Sequence, residues 1–324
     1  LVVANGDTIR VAAGTYPGFS VVGADGKPKN VLIYGSGQGV TTINGTIYIG
    51  PGHSGDPATG TVLSGFTITV PNGPGIVISA DSTGGSTPII SNNEIIDCGG
   101  AGIRISSSGT CTPTISGNVI TGCGESGMQI FGSSQPLLLG NTIEYNEGFN
   151  GGGIQAGGLG CVVDLTPVVD GVRYSNAVNY NTASLDGGGI YISQGSLSIV
   201  EDFETPGSGA FTITGNSAAE LGGAICVTGN ASATITGDEI AFSSMFIYVE
   251  DNEAGWSGGG IYIGSSANCT VSKAVIRYNN ATYSTGGGIY LGSFPGMVSL
   301  TNSIVESNTA YSGGGIGLAG SFPN

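Results

Sequence analysis

Short hydrophobic runs with strand-like alternation recur along this chain, and most begin directly after a cluster of glycines. Ile190-Tyr191-Ile192 and Ile261-Tyr262-Ile263 place apolar side chains on alternate positions, as half-buried strands do. The strongest glycine clusters, each followed by Ile, are Gly151–Gly153, Gly187–Gly189, Gly222–Ala224, Gly258–Gly260, Gly286–Gly288 and Gly313–Gly315. From Ile154 onward this Ile recurs after 36, 35, 36, 28 and 27 residues, a period typical of a stacked repeat.

The repeat is predicted to consist of strands. The 62 glycines interrupt helix formation every few residues, and charged residues make up only 9% of the chain. We therefore expect an all-β protein, a single β-solenoid of about 11–12 coils with Gly-rich corners. Its predicted parts are N-terminal coils (1–75), short coils (76–153), long coils with outward loops (154–261) and short coils that continue or stack (262–324).

Asparagine follows the same period. One set precedes the glycine clusters by five or six residues: Asn146, Asn181, Asn216, Asn252, Asn280 and Asn308. A second set begins an Asn-x-Ile pattern: Asn93, Asn118, Asn141 and Asn302. Stacked coils place like residues about 4.8 Å apart, so the amide side chains are predicted to form hydrogen-bonded ladders at the corners.

These repeats resemble a known group of proteins. The segments Asn181–Ile190 and Asn216–Ile225 are similar to the Gly-Gly-Ala-Ile repeats of polymorphic outer-membrane proteins and related surface adhesins. Gly6–Tyr16 resembles the first coil of the pectin-lyase-like superfamily. The resemblance implies a right-handed parallel β-helix. It implies much less about function, because this fold hosts lyases, hydrolases, tailspikes, adhesins and filament proteins.

The net charge of the chain restricts the classes of binding partner that we expect. With 7 Lys and Arg against 22 Asp and Glu, the chain carries a charge of −15, which disfavours a nucleic-acid partner. No run approaches the roughly 18–20 apolar residues of a membrane helix. The acidic, Gly-rich composition favours an extracellular or cell-surface protein whose partners are further copies of itself, other surface proteins or polysaccharide. The start at Leu1 suggests a processed or trimmed segment, and the last coil is expected to continue or stack.

The cysteines and the Asn-x-Ser/Thr sequons are candidates for disulfide formation and for N-glycosylation. Cys98 and Cys123 occupy the same place in successive coils, which fits either a disulfide or a column of buried thiols. None of the six cysteines forms a Cys-x-x-Cys pair, so a zinc site is not expected. Candidate N-glycosylation sites are Asn44, Asn230, Asn268 and Asn280.

Acidic pairs in the long coils are the candidate metal ligands. Glu201 and Asp202 nearly stack on Asp238 and Glu239, so the four carboxylates either share Ca²⁺ or form a solvated acidic loop. No other cofactor is expected.

An aromatic column is predicted at one corner. Trp256, Tyr283 and Tyr311 lie just before successive glycine clusters. Such a column either binds sugar rings, packs against a neighbouring protein or fills the corner.

Catalytic motifs are missing. The paired Arg and Pro motifs of lyases and the Asp, His and Arg-x-Lys motifs of polygalacturonases do not occur, and the single His53 lies in a Gly-rich loop. We therefore assign no catalytic residue and favour a non-catalytic surface adhesin or a structural subunit of a filament or sheath. The alternatives are a polysaccharide lyase or glycoside hydrolase of the pectin-lyase-like superfamily, and a carbohydrate-binding module.

Overall fold

The chain folds as a parallel β-helix, which confirms the predicted fold class. A computed structural model describes residues 4–21, 30–50, 58–82, 85–201, 211–240, 243–245 and 247–319. Within these ranges the regular structure is strand, and all but two short hairpins pair in parallel. No helix in the described ranges is long and apolar enough to cross a membrane.

The strands of the described residues form four rows, named here in chain order; coils before Glu147 contribute to the first three rows, and later coils contribute to all four. The triplet row follows the glycine clusters and comprises Ile47–Ile49, Ile76–Ala80, Ile103–Cys111, Met128–Ser134, Ile154–Gly157, Ile190–Ile192, Ile225–Val227, Ile261–Ile263, Ile289–Leu291 and Ile316–Leu318. The middle row comprises Thr8–Arg10, Leu32–Tyr34, Ala58–Ser64, Ser86–Ser91, Thr114–Ser116, Leu137–Leu139, Val162–Asp164, Ser196–Val200, Ser232–Thr236, Asn268–Ser272 and Val298–Thr301. These two rows belong to one sheet of 21 strands among the described residues.

Two further rows close each coil. The third row comprises Gly14–Pro17, Thr41–Asn44, Thr67–Thr69, Glu94–Ile96, Val119–Thr121, Thr142–Glu144, Ala177–Asn179, Thr212–Thr214, Ile247–Glu250, Ala274–Arg277 and Ile304–Glu306. The short row comprises Glu147–Gly148, Thr182–Ala183, Ser217–Ala218, Glu253–Ala254, Asn280–Thr285 and Thr309–Ser312. The chain then turns through the glycine cluster into the triplet row of the next coil.

The core is a stack of identical apolar layers. Ile154 pairs in register with Ile190, which pairs with Ile225, and all three side chains are fully buried. Burial of an isoleucine side chain contributes about 1.5–3 kcal/mol, so each coil gains its stability from the coils on either side.

Two asparagine ladders run inside the corners, as the sequence predicts. The first contains Asn93, Asn118, Asn141 and Asn176, and the second contains Asn146, Asn181, Asn216, Asn252, Asn279 and Asn308. At each step one Oδ1 accepts both the backbone N–H and the Nδ2–H of the preceding asparagine. The ladders therefore satisfy backbone groups that the turns leave unpaired.

Two predicted ladder members are wrong. Asn280 begins a short-row strand, and its side-chain Nδ2 contacts Glu253 and Thr282, while its neighbour Asn279 occupies the ladder. Asn302 has a left-handed φ of 50° at the corner, and Ser303 accepts the ladder bond from the Ala274 N–H instead. In both cases the ladder position is occupied by the neighbouring residue, Asn279 in place of Asn280 and Ser303 in place of Asn302.

The glycine corner needs glycine for two reasons. The first glycine of a cluster adopts a left-handed φ, 67° at Gly187, which costs other residues energy. The second glycine has no space for a side chain, because a Cβ on Gly188 would lie 2.4 Å from the Ser217 carbonyl oxygen of the next coil. Adjacent coils therefore approach each other through backbone alone at this corner.

The long coils carry their extra residues between the middle and third rows. Val168–Val169 pairs antiparallel with Val172–Arg173 there, and Asp238–Ile240 pairs antiparallel with Ser243–Met245. The insertion of the intervening coil includes residues 202–210, outside the described ranges. The four-part division of the chain at 75, 153 and 261 stays a prediction.

Candidate functional site

A cleft runs beside the glycine corner, between the outward face of the triplet row and the short row. Its volume is about 610 Å³, within the range of roughly 300–1,000 Å³ common to ligand sites. The residues that line it are Arg104, Gly124, Glu125, Gln129, Glu147, Gly148, Phe149, Gln155, Thr182 and Ser184.

One wall is a chain of hydrogen-bonded polar side chains. Arg104, Gln129 and Gln155 hold the outward position of three strands that pair in register. Arg104 Nε donates to Gln129 Oε1 at 2.8 Å, and Gln129 Nε2 donates to Gln155 Oε1 at 3.2 Å. These bonds fix the orientation of the amides. Gln129 is 8% exposed and its Nε2 also donates to Glu125 O, so it holds Arg104 and Gln155, which are the polar groups of this row that the wall exposes.

Arg104 is held by a carboxylate as well. Its Nη2 lies 2.7 Å from Glu125 Oε2 in an exposed ion pair. An exposed pair of this kind contributes about 0–1 kcal/mol, so its main effect is to orient the guanidinium and to offset its charge.

The other wall is aromatic and hydroxylated. The Phe149 side chain is 65% exposed and lies in the same wall as Thr182 and Ser184. An exposed phenyl ring beside hydroxyls and amides is a common arrangement in sites for ligands that have both apolar and polar faces.

The predicted aromatic column is exposed and belongs to the same edge of the rod. Trp256, Tyr283 and Tyr311 are 55%, 71% and 87% exposed, so they do not fill the corner. Successive backbone hydrogen bonds connect Trp256 to Glu220, Glu220 to Leu185 and Leu185 to Phe149. Phe149 precedes Ile154 by five residues, the same offset that separates Trp256 from Ile261 and Tyr311 from Ile316, so the sequence offset alone would have identified Phe149 as a member of this edge.

Tyrosines continue the polar wall toward the C-terminus. Tyr191 pairs in register with Gln155, and Cys226, Tyr262 and Tyr290 follow at the same position. The Tyr262 and Tyr290 rings stack with centroids 5.4 Å apart and planes 15° apart. Burial raises the pKa of Tyr262 to about 12 and also raises the pKa of Tyr191, so both hydroxyls stay neutral.

A carboxylate lies near these tyrosines, outside the residues that line the cleft. Asp186 follows Ser184 by two residues, is half-buried, and accepts the Leu221 N–H at 3.1 Å through Oδ1. Burial, against the lowering effect of the Leu221 N–H and with a smaller contribution from the charge of Glu220, raises its pKa from the ordinary value of 3.8 to about 6. The folded state therefore binds this proton more tightly than the unfolded state does.

Replacing Asp186 by Asn is expected to stabilise the protein at pH 7 by about 1 kcal/mol, after allowance for partial solvent screening. Because the folded pKa is raised, the ionised carboxylate destabilises the fold above pH 6, and the effect fades as pH falls from 6 toward 3.8. Thermal melts should show a Tm gain at pH 7 and almost none at pH 4. An equal gain at both values would contradict the assigned pKa.

Of the four predicted calcium ligands, the structure describes the side chain of Glu201 alone, so it does not test the predicted site. Glu201 is 2% exposed, and its backbone N–H donates to Thr236 O. Asp202 lies outside the described residues, as do the side chains of Asp238 and Glu239, whose backbone forms a hairpin. No group of three or more potential metal ligands occurs in the described part of the chain, and calcium binding stays a prediction.

The remaining predicted residues lie away from the cleft or below the surface. Cys98 and Cys123 are buried free thiols, and the disulfide stays a prediction. The hydrogen bond between them, together with burial, raises the pKa of Cys123, which makes it a poor nucleophile. His53 lies outside the described residues.

The four sequons differ in accessibility. Asn44, Asn230 and Asn268 are exposed, and Asn268 Oδ1 accepts the Met297 N–H at 2.7 Å. Asn280 is partly buried beside Glu253. Glycosylation stays a prediction, and the hydrogen bond of Asn268 and the partial burial of Asn280 favour the first two positions.

Comparisons with known proteins agree with the fold. A search of curated proteins finds no significant match. The crystal structure of the catalytic unit of a thermostable GH87 α-1,3-glucanase from Streptomyces thermodiastaticus strain HF3-3 is similar at 14% identity, with a TM-score of 0.34. That alignment covers 95% of this chain and 65% of the glucanase chain, so the chain spans less than two thirds of that protein. The family profile described as "right handed beta helix region" matches residues 31–204. Since this match covers more than half of the 324 residues, the chain belongs to the right-handed β-helix family.

Proposed function

We propose that this protein binds an extended, uncharged polysaccharide in the cleft beside its glycine corner. The observation that carries the proposal is the ordered row Arg104–Gln129–Gln155, which faces Phe149 across one cleft. Sugar rings present hydroxyls at their edges and C–H groups on their faces. Amides and guanidinium groups bind the former, and an exposed aromatic ring packs on the latter.

The direction of the cleft fits a polymer. Arg104 and Gln155 lie two coils apart along the rod, a spacing of about the length of two sugar residues in an extended chain. The exposed aromatic side chains of Trp256, Tyr283 and Tyr311 follow the same edge beyond the cleft. A long ligand would therefore meet equivalent contacts in successive coils, and weak contacts of this kind add along a chain.

Charge argues for an uncharged ligand. The net charge is −15, Glu125 and Glu147 line the cleft, and Glu125 offsets the one cleft arginine. Uronate polymers would be repelled, which makes lyase chemistry on such substrates a poor fit. A secreted adhesin or sheath component that attaches to neutral glycans agrees with both the cleft and the composition.

Replacing Phe149 by Ala, or Gln155 by Ala, is expected to weaken binding to a soluble neutral glucan by about tenfold or more, because either change removes one wall contact (~1.4 kcal/mol). Affinity electrophoresis in gels containing dextran, laminarin or xyloglucan, followed by calorimetry with the polymer that retards the protein, measures the effect. Pectate serves as the charged comparison and should not retard it.

Phe294→Ala is the matched control. Phe294 is 66% exposed, almost the same as Phe149, and does not line the cleft. We expect this variant to bind like the unmodified chain. Equal losses in Phe149→Ala and Phe294→Ala, or no retardation by any neutral polymer, would contradict the proposal.

A further inference from the structure

The turn that carries Glu125 differs from the glycine corners that follow it. Glu125 holds the place that Gly151 holds in the next coil, since Met128 and Ile154 pair in register. Gly151 has a left-handed φ of 63°, and a Cβ on it would overlap the Ile154 carbonyl oxygen. The first glycines of the five later clusters have φ values between 58° and 71°. A side chain at this place therefore requires a backbone path different from the one that these clusters share.

The unusual backbone conformation of this turn falls on Ser126 instead. Ser126 is fully buried and has a φ of 148°, in a region that is essentially restricted to glycine. Every other non-glycine residue with a positive φ in the described part of the chain lies between 50° and 64°. Glu125 itself has no positive φ. The turn thus places its strain on a buried serine and leaves the first place to a residue with a side chain.

Further contacts hold the Glu125 side chain and its ion-pair partner. Gln129 Oε1 accepts from Arg104 Nε at 2.8 Å, and Gln129 Nε2 donates to the Glu125 carbonyl oxygen at 3.3 Å. Arg104 Nη2 lies 2.7 Å from Glu125 Oε2, and the two side chains are 36% and 51% exposed. Ser126 Oγ donates to the Asn150 carbonyl oxygen at 3.4 Å. A nearly buried amide and a strained serine therefore fix two groups that the cleft exposes.

The strain accompanies the glutamate and does not follow from the stacking of coils. One coil earlier, Ala101 holds the second place of the turn without a positive φ, and Gly100 holds the first. An exposed ion pair contributes little to folding, so the pair does not offset the strain at Ser126. Strain that persists beside a cleft is typical of functional positions. The arrangement is therefore best explained by what the exposed pair binds.

The ion pair offers a hydrogen-bond donor and an acceptor side by side. Among the described residues, neither Arg104 Nη1 nor Glu125 Oε1 forms a hydrogen bond to protein, so both are available to a ligand. A guanidinium only donates and a carboxylate only accepts, whereas a hydroxyl does both. Two hydroxyls on neighbouring carbons of a sugar ring can therefore bind together, one accepting from Arg104 and the other donating to Glu125. The opposite charges cancel, which suits an uncharged sugar.

We propose that Arg104 and Glu125 form a subsite for two adjacent hydroxyls of one sugar ring, with Ser126 as the residue that positions Glu125. The inference rests on the proposed function and specifies its ligand. Glucans that are linked through carbon six or carbon four keep the hydroxyls on carbons two and three free. A main chain linked through carbon three has no such adjacent pair, because the linkage occupies one of the two oxygens. The ligand class is therefore a neutral polysaccharide that is not linked through carbon three.

The linkage preference of the full chain tests the subsite. The affinity gels contain dextran, linked mainly through carbon six, xyloglucan, with a main chain linked through carbon four, or laminarin, with a main chain linked through carbon three. We expect dextran, xyloglucan or both to retard the protein. For laminarin we expect a Kd about tenfold higher or more, because its main chain satisfies only one member of the ion pair.

Glu125→Ala removes the acceptor of the subsite. It should weaken binding to the preferred polymer by about tenfold and reduce the preference over laminarin to a similar degree. Glu306→Ala is the matched control, since Glu306 is an exposed glutamate on the third row of the last described coil and does not line the cleft. We expect it to bind every polymer like the unmodified chain. Melting temperatures check that both variants are folded.

Ser126→Gly separates positioning from folding. Glycine adopts a φ of 148° without strain, so the melting temperature should not fall. Glu125 gains conformational freedom in this variant, so the affinity for the preferred polymer should drop by about threefold or more. The preference over laminarin should become smaller as well. A serine with a purely structural role would leave both affinity and preference unchanged.

The outcomes separate the subsite from the binding function. Equal retardation by laminarin and the other two polymers, or an unchanged affinity in Glu125→Ala, would overturn the subsite and leave polysaccharide binding intact. Unchanged affinity and preference in Ser126→Gly would overturn the positioning role of Ser126. Absence of retardation by every polymer would overturn both proposals.

Discussion

Replacing Asn216 by Ala should lower the free energy of unfolding by about 3 kcal/mol. Asn216 is 1% exposed and lies in the middle of the second ladder. Its Oδ1 accepts from the backbone and the amide of Asn181, and its Nδ2 donates to Val178 O and Asn252 Oδ1. Alanine leaves these buried partners unsatisfied on both neighbouring coils, at about 1–3 kcal/mol for each group that finds no replacement.

Urea unfolding of Asn216→Ala beside Asn280→Ala measures this effect. Asn280 is a sequence neighbour of the ladder whose amide contacts only the Glu253 and Thr282 side chains near the surface. We expect that variant to lose less than about 1 kcal/mol. Similar midpoints for Asn216→Ala and the unmodified protein would show that the ladder does not stabilise the fold.

The ladder also illustrates how much of the fold was readable from the sequence. Asparagine is common in turns everywhere, so its presence alone indicates little. The fixed distance from asparagine to the following glycine cluster, however, requires that successive coils place it at the same corner. Period and phase therefore predicted rows, corners and ladders, while the choice between Asn279 and Asn280 depended on which side chain faces inward.

The cleft could not be predicted from the period and phase of the repeat. Arg104, Gln129 and Gln155 differ in residue type and come from coils with weak or strong glycine clusters, so they share no sequence motif of their own. Their common feature is position: each directly follows the first residue of a triplet-row strand. Reading that outward column along the repeat would have brought them together, but the cleft itself arises from the backbone path at the glycine corner.

Tyr145 and Tyr180 show a second limit of sequence reading. Both adopt a left-handed φ near 55°, where glycine or asparagine would be expected. Their rings stack with centroids 5.3 Å apart and planes only 9° apart, and the Tyr180 ring lies over Gly215 of the next coil. A contact of this kind contributes about 0.5–1.5 kcal/mol, which offsets the local backbone cost. Contacts between coils thus select residues that local propensity disfavours.

The second prediction with a large expected effect concerns stability at the glycine corner. Gly188→Ala should destabilise the protein by about 3 kcal/mol or more, because its Cβ would lie 2.4 Å from Ser217 O and 2.5 Å from Gly223 O. Both oxygens belong to the backbone of the next coil and cannot rotate away. The coils must separate locally, which weakens the hydrogen bonds that Gly188 and Gly189 donate to Gly222 and Gly223.

The neighbouring glycine provides a matched comparison. Gly189 holds the third place of its cluster, and the next coil has Ala224 at that place, fully buried and in contact with the core. Gly189→Ala should therefore cost less than Gly188→Ala, and Gly73→Ala, whose Cβ would meet its nearest atom at 3.4 Å, should be nearly neutral. The order of the three urea midpoints tests whether backbone proximity at the corner, and not glycine content in general, holds the coils together. If Gly188→Ala unfolds at the same midpoint as Gly73→Ala, the coils tolerate separation there, and the close approach contributes little to stability.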